Sequence, residues 1–239
     1  YHEISKQVMD VFKTITRLVQ PLSIDEAYLD ITELVVSGIA PVDVGRILKT
    51  RVRQQVGLVI SVGIGTSKSV SKIASDSSKP NGLIVVEPGT ERAFLAPMPV
   101  RKLPGIGPIT EQKLAKVRIY TLGDLSHQSE EWLHSNLGKR GRDLGSMSRG
   151  EDRGLLTTQS IVKSISVEET FSQDETGWHE LSEKIAEFSL RIARELKISR
   201  TEARTITLKL RLADFTTFTR SLTRPVPTSN CSVIREVGQ

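Results

Sequence analysis

The chain has 239 residues, a net charge of +5, 38% hydrophobic and 26% charged residues, and a single cysteine, Cys231. That length suits one large domain or two to three small ones, and no run of 18 apolar residues is present to cross a membrane. One cysteine excludes an internal disulfide and a cysteine metal site; with no signal-peptide pattern, a reducing, cytoplasmic location is expected.

Ile4, Val8, Phe12 and Ile15 recur at three- to four-residue spacing, so the chain opens inside a helical pattern with no methionine or N-cap before it. The expectation is a chain whose beginning lies upstream. A strand–turn–strand follows, Leu22 to Ile24 and Ala27 to Ile31, with Asp25 and Glu26 at the bend. A helix is predicted from Asp43 to Val56, with Val44, Ile47, Leu48 and Val52 on one face. Leu58 to Ile64 reads as a buried strand, Thr66 to Ala74 as a helix, Lys79-Pro80-Asn81-Gly82 as a turn and Leu83 to Val86 as a short strand. The order α-β-β-α-β-α-β predicts a mixed sheet covered by helices.

Pro88-Gly89 and Pro97-Met98-Pro99 mark a boundary near 90–100. Short helices rich in glycine are predicted from Val100 to Gly154, and residues 155–162 read as a linker. The last segment begins with a strand, Lys163 to Phe171, then a helix with Leu181, Ile185, Phe188, Ile192 and Leu196 on one face. Strands Thr205 to Leu212 and Thr216 to Thr223 flank Ala213-Asp214-Phe215, and a further helix starts at Ser232. The order β-α-β-β-α is a split βαβ, ferredoxin-like unit lacking its last strand. Such a sheet keeps an unpaired edge, so an incomplete C-terminus is expected.

Asp25 and Glu26 stand side by side in an otherwise apolar stretch, where two like charges about 4 Å apart repel by roughly 4 kcal/mol at an effective dielectric near 20. A divalent cation offsets that cost, and metal-assisted phosphoryl transfer is the chemistry that uses it. Neighbouring side chains of a strand point to opposite faces, so both reach one metal pair only at a bend. Taken alone, the pair also fits a solvated acidic turn, and Asp30 fits an ion-pair or capping role better than metal binding. Leu103-Pro104-Gly105-Ile106-Gly107-Pro108 before a Lys113-Leu114 helix is a helix–hairpin–helix pattern, which holds a DNA phosphate without reading bases. A plain glycine-rich connection is its alternative, and Leu137-Gly138-Lys139-Arg140-Gly141 is a looser echo. Lys68 and Lys72 share a helix face and Lys79 lies just beyond; they suit phosphate or are surface lysines. Gly63-Ile64-Gly65 lacks the third glycine of a dinucleotide fingerprint, and the four histidines show no metal spacing.

Charge is unevenly spread. Residues 92–159 carry eleven basic against seven acidic side chains, and in 204–224 five basic residues face only Asp214. Such surfaces suit a polyanion such as nucleic acid.

Together these motifs resemble those of the Y-family translesion DNA polymerases. Ser23-Ile24-Asp25-Glu26-Ala27-Tyr28-Leu29-Asp30 looks like the palm motif. Ser61-Val62-Gly63-Ile64-Gly65 through Lys72-Ile73-Ala74 to Lys79-Pro80-Asn81-Gly82 is similar to the second palm signature. The hairpin and Lys163-Ser164 to Glu169-Thr170-Phe171 resemble the DinB branch. The resemblance implies an α+β multidomain fold: a partial palm over 1–95, a helical thumb over 96–154, the linker, and an incomplete little finger over 163–239.

It further implies template-directed DNA synthesis, with Asp25 and Glu26 as two of three carboxylates holding two Mg²⁺ ions in the intact enzyme. Lys79, and less directly Lys72, would meet the triphosphate of the incoming deoxynucleotide; Gly105, Ile106, Gly107 and Lys113 a primer phosphate; Lys163, Arg220 and Arg224 the DNA backbone. The implied partners are primer–template DNA, a deoxynucleoside triphosphate and, in the intact protein, a sliding clamp; the protein would be a monomer with no membrane association. The family's first metal aspartate, its fingers, the last little-finger strand and the clamp-binding tail have no counterpart in these residues. The expectation is therefore a fragment that binds DNA without polymerising. The rival readings are a non-catalytic DNA-binding module and another palm-type nucleotidyl enzyme such as a nucleotide cyclase.

Overall fold

The computed structural model describes residues 1–152, 154–158 and 162–239. The chain forms two compact units, Tyr1–Ser160 and Ile161–Gln239. Among the described residues no helix is long and apolar enough to cross a membrane.

In the first unit, helix α1 (His2–Lys13) lays Met9, Val11 and Phe12 against Leu48 and Val52 of α3 (Pro41–Val56), with Val19 completing the cluster. Proline at the first turn of α3 costs no hydrogen bond, which starts that helix two residues ahead of the sequence expectation. Strands β1 (Val19–Pro21) and β2 (Ala27–Leu29) pair antiparallel, Gln20 opposite Tyr28. The first strand therefore lies before the predicted Leu22 to Ile24. Both Leu22 N–H and Ser23 N–H turn onto the Glu26 carbonyl, at 2.8 and 3.3 Å, so residues 22–26 are consumed by the bend. Helix α2 (Thr32–Val36) departs from the sequence expectation; its N-cap is Ile31, and Asp30 Oδ1 accepts the Thr32 N–H at 2.9 Å in a turn ahead of it.

Strand β3 (Val62–Ile64) pairs parallel with β4 (Leu83–Val85), and α4 (Lys68–Ser77) connects them. The predicted buried strand from Leu58 is shortened to its last three residues: Leu58 and Val59 are exposed and the Ile60 carbonyl is taken by a lysine side chain instead of a ladder. Nor do the strands join into one mixed sheet, because β1–β2 and β3–β4 remain separate two-stranded sheets.

The rest of this unit is helical: α5 (Glu91–Leu95), α6 (Pro108–Lys116), α7 (Leu122–Ser126), α8 (Glu130–Leu137) and α9 (Gly141–Ser148). Their apolar residues, among them Leu95, Leu114, Leu122, Leu125 and Leu133, form one core with Val70, Ile73 and Ala74 of α4. Helix α7 opens with a reciprocal capping box between Thr121 and Asp124. Of the predicted linker, residues 159–161 lie outside the described residues; Leu155 and Thr157 are tied to this unit through Lys68 and Gln20.

In the second unit, α10 (Trp178–Ile198) and α11 (Cys231–Gly238) meet through Ala193, Leu196 and Ile234, against Ala203 and Ile206 of the hairpin β5 (Ala203–Arg211) and β6 (Thr217–Thr228). The predicted face of α10 is the one that turns inward. Strand β6 outruns its predicted end at Thr223 and accommodates Pro225 and Pro227 beside a register shift between Ala203 and Thr205, where ladder bonds are not required. The predicted strand Lys163 to Phe171 forms no ladder among the described residues. Its Ile165 packs on the helical core, and Glu169 pairs with Lys184. The split βαβ order is thus present as α-β-β-α with an extended approach.

Gly63 shows how closely β3 lies on α4. A β-carbon there would meet the Ser71 carbonyl oxygen at 2.1 Å and the Ser75 nitrogen at 2.2 Å, both backbone atoms. Gly63→Ala is expected to lower unfolding free energy by at least about 2 kcal/mol, as overpacked cores do; an unchanged denaturant midpoint would refute that packing.

Candidate functional site

The bend between β1 and β2 places Asp25 and Glu26 beside the α4 face that carries Lys72 and Asp76. Ser23 Oγ donates to Asp25 Oδ1 at 2.5 Å, which leaves the largely exposed carboxylate its second oxygen. Lys72 Nζ donates to Glu26 Oε1 at 2.7 Å and lies 3.5 Å from Asp76 Oδ2, while Lys79 Nζ lies 2.8 Å from Asp76 Oδ1. The four side chains form one run of alternating charge along a groove of about 690 Å³ that Asp25, Lys68 and Asp152 also line. Lys68 lies 6.0 Å from the Tyr28 ring centre, within cation–π reach. Burial, with Asp152, Glu26 and Asp76 nearby, pushes the Tyr28 hydroxyl up to about 12.

Burial works to raise the Asp76 carboxyl, but the hydrogen bond and charge of Lys79, with Lys72, outweigh it and hold the group below its ordinary 3.8. The Asp76 hydrogen bond and charge hold Lys79 above its ordinary value. Asp76 was missed in the sequence. Its signal was helical spacing, four residues after Lys72 and three before Lys79.

The residues at the bend fit a hard divalent cation. Both offer carboxylate oxygens at an open groove, and Mg²⁺ is commonly held by one or two carboxylates plus substrate phosphates. Among the described residues no group of three or more His, Cys, Asp or Glu could hold a metal.

The second candidate is the hairpin before α6. Gly105 has φ +99°, a left-handed conformation that favours glycine, and Ile106 turns its side chain into the core. Gly107 caps α6 with Pro108 at its first turn, and Lys113 is exposed on that helix. A β-carbon on Gly105 would meet Arg140 Nη2 at 2.5 Å, so the looser echo contributes a guanidinium to the first hairpin. Gly141 of that echo is explained by packing, since a β-carbon there would meet the Leu133 carbonyl oxygen at 2.0 Å.

In the second unit the cations expected to act together are dispersed. Lys163 is exposed on the extended approach, and Arg224 is half-buried with its Nε unpartnered among the described residues. Arg220 pairs across the ladder with Leu208, so it shares the apolar face with Leu210, Phe218 and Leu222. The opposite face carries Lys209 and Arg211 among hydroxyls, with Thr205 bonded to Thr223 at 2.9 Å and Thr207 to Ser221 at 2.8 Å. Strict period-two reading of the two strands could have found this polar face.

Three stretches of the chain match known families. Residues 1–76 match the impB/mucB/samB family, residues 88–117 the IMS family HHH motif, and residues 162–239 the impB/mucB/samB family C-terminal domain. A DNA polymerase IV of Stenotrophomonas maltophilia is 36% identical over 238 residues, covering 100% of this chain and 67% of that protein. The chain belongs to the DinB-type Y-family DNA polymerases. A DNA polymerase IV of Streptomyces coelicolor is 40% identical over 245 residues, covering all of this chain and 50% of that protein. This Y-family chain thus spans half to two thirds of the length of these relatives. Its fold is similar to that of a solved Y-family polymerase chimera (TM-score 0.77, 20% identity, 99% of this chain and 68% of the other). It is also similar to an insertion ternary complex of Dbh DNA polymerase (TM-score 0.64, 20% identity, 100% and 68%).

The Asp76 pairing has a pH signature. A carboxyl held below its unfolded value stabilises the fold above that value and loses the contribution as pH falls through the lower, folded one. Asp76→Asn is therefore expected to flatten the acid limb of stability below about pH 4, by no more than about 1 kcal/mol for such a partly exposed pair. Denaturation midpoints of both proteins at a series of pH values check this, and parallel curves would contradict it.

Proposed function

We propose that the protein adds deoxynucleotides to a primer 3′ end by template-directed, metal-assisted nucleotidyl transfer, as a translesion DNA polymerase. The observation that carries this reading is the groove in which Asp25 and Glu26 face the same space as Lys72 and Lys79. Acids suited to a hard cation and ammonium groups suited to phosphate are what a metal–triphosphate substrate requires. Family membership supports the same activity. In this reading residues 1–95 act as palm, 96–154 as thumb and 163–239 as little finger.

Mg²⁺ bound at the bend would supply charge stabilisation at the reacting phosphate and acidify the primer hydroxyl. Asp25, with one carboxylate oxygen left by Ser23, and Glu26, on release from Lys72, would be the residues that hold that ion. Lys79, whose ammonium rests on Asp76, turns to the triphosphate of the nucleotide. The hairpin holds a primer phosphate through the Gly105 and Gly107 amides, the Ile106 N–H being taken by the Leu103 carbonyl at 3.0 Å; the Arg140 guanidinium and, along α6, Lys113 join them. The hydroxyl face of β5–β6, with Lys209 and Arg211, lies along backbone phosphates and Lys163 extends that contact; Arg220 is left to the apolar face, and half-buried Arg224 follows it by the same alternation. These contacts read no base, so affinity is independent of sequence and sensitive to salt.

A second reading, in which these 239 residues alone bind DNA without catalysis, is favoured by Glu26 being already neutralised by Lys72. Mg²⁺-dependent primer extension by the 239-residue chain itself would eliminate it.

In the full-length protein, Glu26→Ala is expected to reduce extension at least about a hundredfold while primer–template affinity stays within about twofold. Full extension by that variant would remove Glu26 from the site. Arg140→Ala is expected to weaken binding equally for all sequences and to reduce the slope of log affinity against log salt by about one; titrations at several salt concentrations measure it.

A further inference from the structure

Lys49 lies on α3, outside the acidic groove, and the reading above gives it no part. Its ammonium is set among four oxygens: the Ile60 carbonyl at 2.5 Å, Asn81 Oδ1 at 2.8 Å, the Asn81 carbonyl at 3.0 Å and the Gly82 carbonyl at 3.1 Å. None is a carboxylate. An ammonium has three protons to share, so the four acceptors draw fully on its donor capacity. Partial burial without an opposing charge holds its pKa below the ordinary lysine value.

Three of the four acceptors belong to one turn, Lys79 to Gly82, which precedes β4. Gly82 is also tied to β3, its carbonyl accepting the Val62 N–H at 3.1 Å. Gly82 N–H reaches Ser61 Oγ at 3.3 Å, and a β-carbon on Gly82 would meet the Ser78 carbonyl oxygen at 2.1 Å. Asn81 directs both its carbonyl and its side-chain oxygen inward to Lys49. Lys79 stands two residues before it, with its ammonium on Asp76. Lys49 therefore fixes Asn81, in the middle of the turn, while the Lys79 ammonium two residues earlier rests on Asp76.

We infer that Lys49 is a positioning residue for nucleotide binding, acting through the Lys79–Gly82 turn to place the Lys79 ammonium against the triphosphate. The inference rests on the polymerase reading, because it assigns Lys79 to the nucleotide. A residue that merely supported the fold would lower thermal stability and leave nucleotide affinity as it was.

The experiment is single-nucleotide insertion by the full-length protein at saturating primer–template. Lys49→Met is expected to raise the nucleotide KM about tenfold, with kcat and primer–template affinity within about twofold. In a Lys79→Ala background the same substitution is expected to add nothing further, since the turn then carries no ammonium to place. Should Lys49→Met fold poorly, Asn81→Ala removes one acceptor and keeps both carbonyls; its KM is expected to rise about threefold. An unchanged KM in both variants, or an effect that adds in full to that of Lys79→Ala, would overturn the inference while the polymerase reading stands. A wild-type protein that inserts no nucleotide would overturn both.

Discussion

Glu26, Lys72, Asp76 and Lys79 form a run in which each acid is flanked by a base, and the arrangement of the first unit serves to keep that run in register. Without Lys72, Asp25 and Glu26 would face each other's charge across one bend. With it, one carboxylate is neutralised while its neighbour is held by Ser23, so the acidic bend is tolerated in the absence of a metal. Such a pair is not a gain in stability to be counted at face value, because partly exposed ion pairs contribute little. Its consequence is spatial. Two residues on α4 and one just after it share a groove wall with a bend that begins more than forty residues earlier in the chain.

That register depends on how closely β3 lies against α4. Gly63 permits backbone contact there, and Val70, Ile73 and Ala74 sink the opposite side of α4 into a core shared with the helices that follow. The hairpin at Gly105 is anchored to the same core through Leu103, Ile106 and Leu114. The acidic groove and the glycine hairpin are thus mounted on one body of buried side chains, and α4 belongs to both. In the proposed function a metal site and a primer grip must keep a constant separation, and a continuous core supplies that stiffness.

Much of this was legible in the residues themselves. The bend with its two carboxylates, the helix carrying Lys68 and Lys72, the turn at Lys79 and the glycine hairpin all lie where local pattern put them. Each is marked by apolar periodicity or by turn chemistry confined to a few neighbouring positions. Errors arose where long-range pairing decides. Leu58 and Val59 have the composition of a buried strand yet lack a partner among the described residues, and Lys163 to Phe171 likewise reads as a strand without acquiring a ladder. Arg220 has the charge that a DNA contact needs, yet the register that faces it to Leu208 puts it among apolar side chains.

By itself, then, the sequence determined where the longer helices lie, where the chain bends, and that two acids stand at that bend with lysines on the helix and turn that follow. Family membership follows from the same residues, since motif order survives in them end to end. Only the tertiary structure decided the pairings: Lys72 with Glu26, Arg140 over Gly105, Lys209 and Arg211 on the hydroxyl face, and Lys49 among the carbonyls of a turn 32 and 33 residues ahead. The physical reason is range. Periodicity and capping are settled by bonds within a few residues, whereas the partner of a charged side chain is whichever oxygen the packed core brings within 3 Å or so, and no local spacing specifies it.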